Sequence, residues 1–265
     1  MGSEGTRGIL NPTAGLSHFL LTREPPPSDL ARFVEGFWSV RWELEGKPAF
    51  EQEILPYPCV SLAFEQGVLQ VHGPGTRRFV AELSGSGRVT GVKFRPAGFF
   101  AFASVPMRSL VDRVLPVDEA TGRPCPLPAD DQAKTVQATL ETFLRACQPQ
   151  PHENSALVDQ LIDAVQHDRA IARADQLARL AGMSVRSLHR LFERHVGVSP
   201  KWVVRRSRVQ EAADRVARGE RVDWASTAQE LGYHDQAHLI RDFHAQVGFT
   251  PAAYARRQKE PPSKA

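Results

Sequence analysis

Apolar residues recur every three to four positions through the last third of the chain, which is the period of an amphipathic helix. Two stretches show this period most clearly, one from Ser184 to Val196 and the other from Asp235 to Val247. Each starts with a residue type that caps helix amino termini, and a glycine that suits a helix end follows each stretch. We therefore predict two capped helices, each with its apolar stripe buried.

These two stretches are copies of one pattern. Five pairs of residues correspond at a constant offset of 51 (for example 239 − 188): Ser184 with Asp235, Leu188 with Leu239, Phe192 with Phe243, Gly197 with Gly248, and Pro200 with Pro251. A short helical segment ending in a glycine, Gly182 or Gly232, precedes each copy. A short helix, a tight glycine turn and a capped second helix are typical of a helix-turn-helix unit. We predict two such units, joined by a long helix from Pro200 to about Arg218.

The first half of the chain has a different period. Trp38, Val40, Trp42 and Leu44 alternate with polar residues, which indicates a half-buried strand. Further strands are predicted at Phe50–Leu55, Cys59–Phe64, Val68–His72, Arg78–Leu83 and Val89–Phe94. Their spacing favours a small antiparallel sandwich or barrel. Glycine-rich Gly85-Ser86-Gly87 is predicted as a hairpin turn, Leu30–Val34 as a short helix or turn, and 130–147 as a helix.

The predicted fold class is α+β in two domains. A small antiparallel β domain, sandwich-like or barrel-like, spans residues 1–147, and an all-α domain with two helix-turn-helix units joined by a long helix spans residues 154–258. The proline-containing segment 148–153 is the predicted linker, and residues 259–265 form a predicted tail. Asn154 or Ser155 is expected to cap the first helix after the linker.

Charge is unevenly divided along the 265 residues, whose net charge is only +3. Residues 1–152 hold 15 basic and 16 acidic residues, whereas residues 153–265 hold 18 and 14, a net +4. Such basic clustering is expected of a protein that binds a phosphate backbone, although a solvated helix face remains an alternative. No apolar stretch is long enough to span a bilayer, and three widely spaced cysteines argue against a disulfide framework or a cysteine zinc site. A cytoplasmic location is expected.

The β-rich half has no recognisable catalytic arrangement. Its aromatic residues Trp38, Trp42, Phe64 and Phe94 are candidates for an apolar effector pocket, with plain core packing as the alternative. His18 and His72 have no partner at the spacing of metal ligands. No metal or cofactor is predicted for the chain.

The carboxyl-terminal sequence resembles one family specifically. The matching residues are Leu177-Ala178, Gly182, Ser184 and Gly197–Pro200 in the first unit, and Ala228–Tyr233, Asp235-Gln236, His238–Arg241, Phe243, Gly248–Pro251 and Tyr254 in the second. Over roughly residues 153–257 this pattern resembles the AraC/XylS family of bacterial transcription regulators. The resemblance implies a tandem helix-turn-helix domain that binds promoter DNA, and a β-rich amino-terminal domain that senses a small molecule, dimerises or contacts a partner.

The resemblance and the chemistry of side chains together imply the DNA contacts. Arginine pairs with guanine, and glutamine with adenine, in the major groove. The predicted base-reading residues are Arg186, His189, Arg190, Gln236, His238 and Arg241. The predicted contacts to the DNA backbone are Ser184, Ser187, Lys201, Arg205, Arg206 and Asp235. His234 and His238 are spaced like metal ligands, but two ligands are too few to predict zinc.

The sequence therefore predicts a non-enzymatic, sequence-specific transcription regulator. Double-stranded promoter DNA is the predicted partner, RNA polymerase and a small-molecule effector are further candidates, and both a monomer and a homodimer are compatible. Two alternatives stay open. One is a DNA-binding interaction protein without an effector, and the other is a DNA-repair enzyme fusion that uses a reactive cysteine. Cys59 has no basic or histidine neighbour in sequence to lower its pKa, which weakens the second.

Overall fold

The computed structural model describes residues 8–11, 15–220 and 222–259. Its first half is built on an antiparallel sheet in the order β1-β2-β7-β4-β5-β8, next to a two-stranded sheet of β3 and β6. The strands are β1 Phe19–Glu24, β2 Val34–Leu44, β3 Phe50–Ile54, β4 Ser61–Glu65, β5 Val68–His72, β6 Phe79–Leu83, β7 Gly85–Phe94 and β8 Val114–Pro116. The predicted antiparallel β domain is therefore confirmed, as is a strand at each predicted place.

Both faces of the large sheet are covered. One face carries Phe37, Phe64 and Phe94 and packs on the helix Ala133–Ala146. The other face carries Trp42 and Leu44 and packs against Leu83 of the small sheet. Alternation along β2 produces this division, because successive side chains of a strand point to opposite faces.

Two strands and one glycine-rich segment of the β-rich half differ from the sequence prediction. Strands β1 and β8 are not predicted: β1 has mostly exposed side chains and no clear alternation, and β8 has only three residues. Gly85-Ser86-Gly87 opens strand β7 instead of forming a hairpin turn. The predicted short helix or turn before Val34 is confirmed as a turn, with the Val34 amide donating to the Leu30 carbonyl.

Nine α-helices lie in the described part of the chain. They are α1 Val117–Thr121, α2 Ala133–Ala146, α3 Glu153–His167, α4 Ala174–Leu180, α5 Val185–His195, α6 Pro200–Ala217, α7 Trp224–Glu230, α8 Gln236–Val247 and α9 Pro251–Lys259. Two 3-10 turns, Gly98–Ala101 and Met107–Leu110, precede α1. No helix among the described residues is both long enough and apolar enough to cross a bilayer.

Most of the predicted helix boundaries agree with the structure. The stripe of α2 is buried as predicted, with Val136, Leu140 and Leu144 at most 1% exposed. The cap of α3 is a correction: the His152 side chain, and neither Asn154 nor Ser155, accepts the amide hydrogen bond at its amino terminus. The predicted tail lies outside the described residues except for Lys259.

The β-rich half contacts the carboxyl-terminal helices at several places, three of which involve its backbone. The Ala97 amide donates to the Asp159 carboxylate of α3 at 2.9 Å. Gly197, after α5, lies so close to the Met107 carbonyl that a β-carbon there would be 2.6 Å from it. Arg206 of α6 donates to the Pro56 carbonyl at 2.8 Å. The predicted domain boundaries stay a prediction, and these contacts span them.

Candidate nucleic-acid interface

Two helix pairs repeat the same backbone geometry. In the first, α4 is followed by Gly182 at φ 62°, and the Met183 amide donates to the Ala178 carbonyl at 3.0 Å. In the second, α7 is followed by Gly232 at φ 69°, and the Tyr233 amide donates to the Ala228 carbonyl at 2.8 Å. A positive φ at this position favours glycine, because a side chain would be strained there. The duplication predicted from sequence is therefore present in the fold.

The second helix of each pair is capped as predicted. The Ser184 hydroxyl accepts from the Ser187 amide at 3.1 Å, and the Asp235 carboxylate accepts from the His238 amide at 2.7 Å. Both helices end before a glycine with positive φ, Gly197 or Gly248. Capping fixes where each helix starts, and therefore which residues face outward.

Helix α5 presents a basic outer face. Leu188, Phe192 and His195 are fully buried against the helices around it. Arg186 and Arg190 are exposed, and His189 is half-buried between them. Three arginines against one glutamate give the helix a net charge of +2 without its histidines. This face can donate several hydrogen bonds to the base edges or phosphates of DNA.

The face of α8 is nearly neutral. Gln236 and Arg241 are exposed, whereas His238 is half-buried. The Asp242 carboxylate lies 3.7 Å from His238 Nε2 and 3.5 Å from Arg205 Nε. Two of the predicted DNA contacts are thus held near an acidic side chain inside the protein. Within the described ranges, no three histidine, cysteine or carboxylate side chains come together as metal ligands.

Two predicted contacts to the DNA backbone are corrected by the structure. Arg206 is 2% exposed, with its guanidinium bound to the Pro56 carbonyl and, at 2.9 Å, to Gln210. It cannot reach a phosphate from there. Asp235 caps α8, and its hydrogen bonds with the His238 amide and His234 lower the pKa of its carboxyl. An ionised carboxylate repels a phosphate, so Asp235 positions the helix instead.

The other predicted backbone contacts lie at accessible places. Ser184 and Lys201 are exposed, and Ser187 and Arg205 are half-buried. The Ser184 hydroxyl also donates to the Ser187 hydroxyl at 3.0 Å. These four residues stay candidates for phosphate contacts.

The structure contradicts the prediction of a single effector pocket lined by four aromatic residues. Phe64 and Phe94 are buried in the core between the sheet and α2. Trp42 belongs to the cluster on the opposite face, and Trp38, four residues before it on β2, points the same way. The sheet separates the two pairs, so the alternative of core packing is correct for Phe64, Phe94 and Trp42.

Two open clefts instead lie between the β-rich half and the helices. One has a volume of about 340 Å³ and places Arg190 and Arg194 of α5 opposite Phe100 and Arg108. The other has a volume of about 300 Å³ and lies between β7 and α3, with Lys93, Arg95, Asp159 and Asp163 among its lining residues. Neither cleft can be predicted from the sequence, because the walls of each come from segments far apart in the chain. The only local signal is the i, i+4 spacing of Asp159 and Asp163, which places both carboxylates on one helix face.

Burial raises the thiol pKa of each of the three cysteines, Cys59, Cys125 and Cys147. Cys59 is 7% exposed, and its burial raises the pKa of the thiol to about 12. Burial also raises the pKa of Cys125 to about 12. A nucleophilic cysteine needs a lowered pKa, so these thiols lack the property that a cysteine-based repair enzyme requires.

Comparison with protein families gives two matches. Residues 22–116 match a domain of unknown function (DUF6597), and residues 177–257 match a helix-turn-helix domain. The second match includes both units, from Leu177 of α4 onward, and the whole of α6, the helix that joins them.

Two curated relatives each match 39% of the chain. An uncharacterised HTH-type transcriptional regulator of Haemophilus influenzae is 32% identical over 103 residues, which are 39% of this chain and 33% of the relative. The transcriptional activator NphR of a Rhodococcus species is 30% identical over 104 residues, 39% of this chain and 30% of NphR. The aligned segment thus spans about a third of the length of these relatives.

Comparison with solved structures finds ToxT from Vibrio cholerae, with a TM-score of 0.40 and 9% identity over 90% of this chain and 98% of ToxT. The carboxyl-terminal domain of AraT, a response regulator from Geobacillus stearothermophilus, has a TM-score of 0.36 and 19% identity over 43% of this chain and 95% of that domain.

Proposed function

We propose that this chain is a sequence-specific transcription regulator of the AraC/XylS type. Its two helix-turn-helix units would bind successive major-groove segments of promoter DNA, and its β-rich half would sense a small molecule. The observation that carries the proposal is the repeated pair of capped helices, each with an accessible outer face. The proposal places the protein in the cytoplasm of a bacterium.

The joining helix supports binding by one chain. Helix α6 has 18 residues, and its length is therefore about 27 Å at 1.5 Å per residue. Successive major-groove segments on one side of a duplex are about 34 Å apart. The two distances are similar enough for both units to lie on one side of the DNA, so the proposal requires no second copy of the chain.

The proposed contacts follow from exposure and chemistry. On α5, Arg186, His189 and Arg190 would read bases; on α8, Gln236, His238 and Arg241 would do so. Ser184, Ser187, Lys201 and Arg205 would bind phosphates, which position a protein on DNA without specifying the sequence.

Selection of bound fragments from random DNA tests this proposal. We expect the enriched fragments to share two short motifs whose centres lie about 10–10.5 base pairs apart. The double variant Arg186→Ala/Arg241→Ala should lose the enrichment of both motifs. Arg169→Ala is the matched control, because Arg169 is an arginine of the same domain that is already paired with Glu211 at 2.5 Å. Absence of any enriched motif, or one short motif only, would contradict tandem reading.

A further inference from the structure

The cleft between β7 and α3 has walls of opposite charge. The wall from the β-rich half presents three basic residues, Arg23, Lys93 and Arg95, and one acidic residue, Glu35, whereas the wall from α3 presents Asp159 and Asp163. Lys93 is already paired, with its ammonium 2.7 Å from the Glu35 carboxylate. Among the described residues, no salt bridge of 4.0 Å or less joins Arg23 or Arg95 to either aspartate. Two unlike charged surfaces thus face each other across a gap.

The size of the gap limits what can fill it. Its volume of about 300 Å³ is at the lower end of the range for small-molecule sites, which is roughly 300–1,000 Å³. A molecule that bridges the walls needs an anionic group for the guanidinium groups and a cationic group for the carboxylates. Planar guanidinium groups bind carboxylates well, because they donate two parallel hydrogen bonds.

Asp159 is held in an environment that disfavours its charge. It is 8% exposed and accepts a hydrogen bond from the Ala97 amide. Burial raises the pKa of its carboxyl to about 6, although that hydrogen bond and Arg95 act in the opposite direction. A buried acid with a raised pKa at the wall of a cleft is typical of functional sites. A ligand cation beside the carboxylate would further offset the cost of burying its charge.

The floor of the cleft is connected to the DNA-binding helices. The Tyr57 ring lies under the Lys93 ammonium, 3.8 Å away, and within 4.8 Å of the buried Arg206 guanidinium. The Tyr57 hydroxyl accepts from Gln166 of α3 at 2.8 Å. Arg206 belongs to α6, the joining helix of the two units. A molecule in the cleft would therefore touch residues that fix α3 and α6 against the β-rich half.

We propose that this cleft binds a free α-amino acid, with its carboxylate toward Arg23 and Arg95 and its ammonium toward Asp159 and Asp163. The inference rests on the proposed function, since it assigns the effector of the proposed regulator to a chemical class. A free α-amino acid carries both charges close together and fits the volume of the gap.

The test is calorimetric titration and thermal unfolding of the full chain with each of the twenty free amino acids. At least one should bind at millimolar concentration or below and raise the melting temperature. Its N-acetyl derivative lacks the cation and its decarboxylated amine lacks the anion, so both should bind at least tenfold more weakly. The proposal is overturned if none of the twenty binds, or if the N-acetyl derivative binds as well as the parent.

Two exposed positions locate the site without disturbing the fold. Asp163→Asn and Arg23→Gln should each weaken binding of the amino acid at least tenfold. Glu51→Gln and Arg32→Gln are the matched controls, because both residues are exposed and neither lines the cleft. Unchanged binding in both cleft variants would place the ligand elsewhere and overturn the assignment.

DNA selection on the same preparations separates this inference from the proposed function. If the chain selects a DNA motif but binds no amino acid, only the proposed ligand is refuted. A chain that binds an amino acid through Asp163 and Arg23 but selects no DNA would refute the regulator and leave the site intact.

Discussion

The two helix-turn-helix units have nearly the same backbone but different surroundings. Both have a capped second helix, a glycine turn and a phenylalanine at 0% exposure, Phe192 or Phe243. The outer face of α5 carries a net charge of +2, whereas Arg241 and Asp242 cancel on α8. A repeated scaffold can therefore present two different faces, because the cap, the turn and the core do not constrain the outward residues.

The units also differ in how the β-rich half contacts them. The first meets the β-rich half at Gly197, against the Met107 carbonyl, and at His195, whose ring lies 4.2 Å from the Phe100 ring. The second packs in one cluster with the buried side chains of Leu10 and Leu55, and its Phe249 lies 5.1 Å from the Arg78 guanidinium.

The largest expected effect comes from removing the core phenylalanine of each unit, which tests whether the two units are packed alike. Phe192→Ala and Phe243→Ala should each lower the free energy of unfolding by about 3–5 kcal/mol, because each leaves a cavity in a packed core. Urea unfolding of both variants and the parent measures the loss. If one of the two variants cost less than about 1 kcal/mol, the units would not be equivalent in packing.

Acid stability should distinguish the units, because the buried His195 of the first corresponds to Gln246 of the second. Burial, followed by His152 and Arg194, lowers the pKa of His195 to about 4. The unfolded state therefore takes up a proton before the folded state does. Stability from this group is present above pH 6.5 and is lost as pH falls toward 4, by up to about 3 kcal/mol.

The variant His195→Gln gives the first unit the glutamine that the second unit has at the corresponding position. It should remove this loss of stability at low pH. Asp159 changes stability in the opposite direction, because its pKa is raised to about 6 and acidification removes the cost of its buried charge. The comparison is therefore made in the Asp159→Asn background, by unfolding at pH 7 and pH 4.5. If the free energy of unfolding depended equally on pH with histidine and with glutamine at position 195, His195 would not be the cause of the acid destabilisation.

DNA affinity should reveal the difference between the outer faces. Arg186→Ala, Arg190→Ala and Arg241→Ala should each weaken specific binding by about 2 kcal/mol and relax the preference at one base position. Lys201→Ala should instead weaken binding to all sequences alike, because a phosphate contact carries no sequence information. Binding assays on the selected site and on single-base variants measure both effects. Unchanged affinity in all three arginine variants would refute the proposed contacts.

The smallest expected effect concerns the caps. Ser184→Ala and Asp235→Ala should each cost about 1 kcal/mol of stability, since each leaves an amide of the first helical turn without its acceptor. Thermal unfolding measures both. Asp235→Asn keeps an acceptor and should retain most of the stability, which separates the cap from the charge. An equal loss of stability in Asp235→Asn and Asp235→Ala would contradict the role of Asp235 as a helix cap.

The sequence predicts well what is fixed within a few neighbouring residues. Ser184 and Asp235 cap helices as their residue type and position indicate. Gly182 and Gly232 adopt positive φ where a turn demands it. Local rules suffice here, because the donors, acceptors and torsions involved lie within one turn of chain.

Features that depend on distant segments were mispredicted or missed. Arg206 looks like a surface arginine in sequence, but its partner at Pro56 lies 150 residues away. Trp42 and Phe94 look like parts of one aromatic pocket, but sheet register places them on opposite faces. The charged cleft combines β7 with α3, and no local pattern joins Arg95 to Asp159.

Hydroxyl-radical footprinting of the selected DNA site measures most directly whether both units bind the duplex. We predict two protected segments on one face of the duplex, with centres about 10–10.5 base pairs apart. Arg186→Ala should weaken protection of one segment and Arg241→Ala that of the other. A single protected segment, or the same segment weakened by both variants, would contradict tandem reading by one chain.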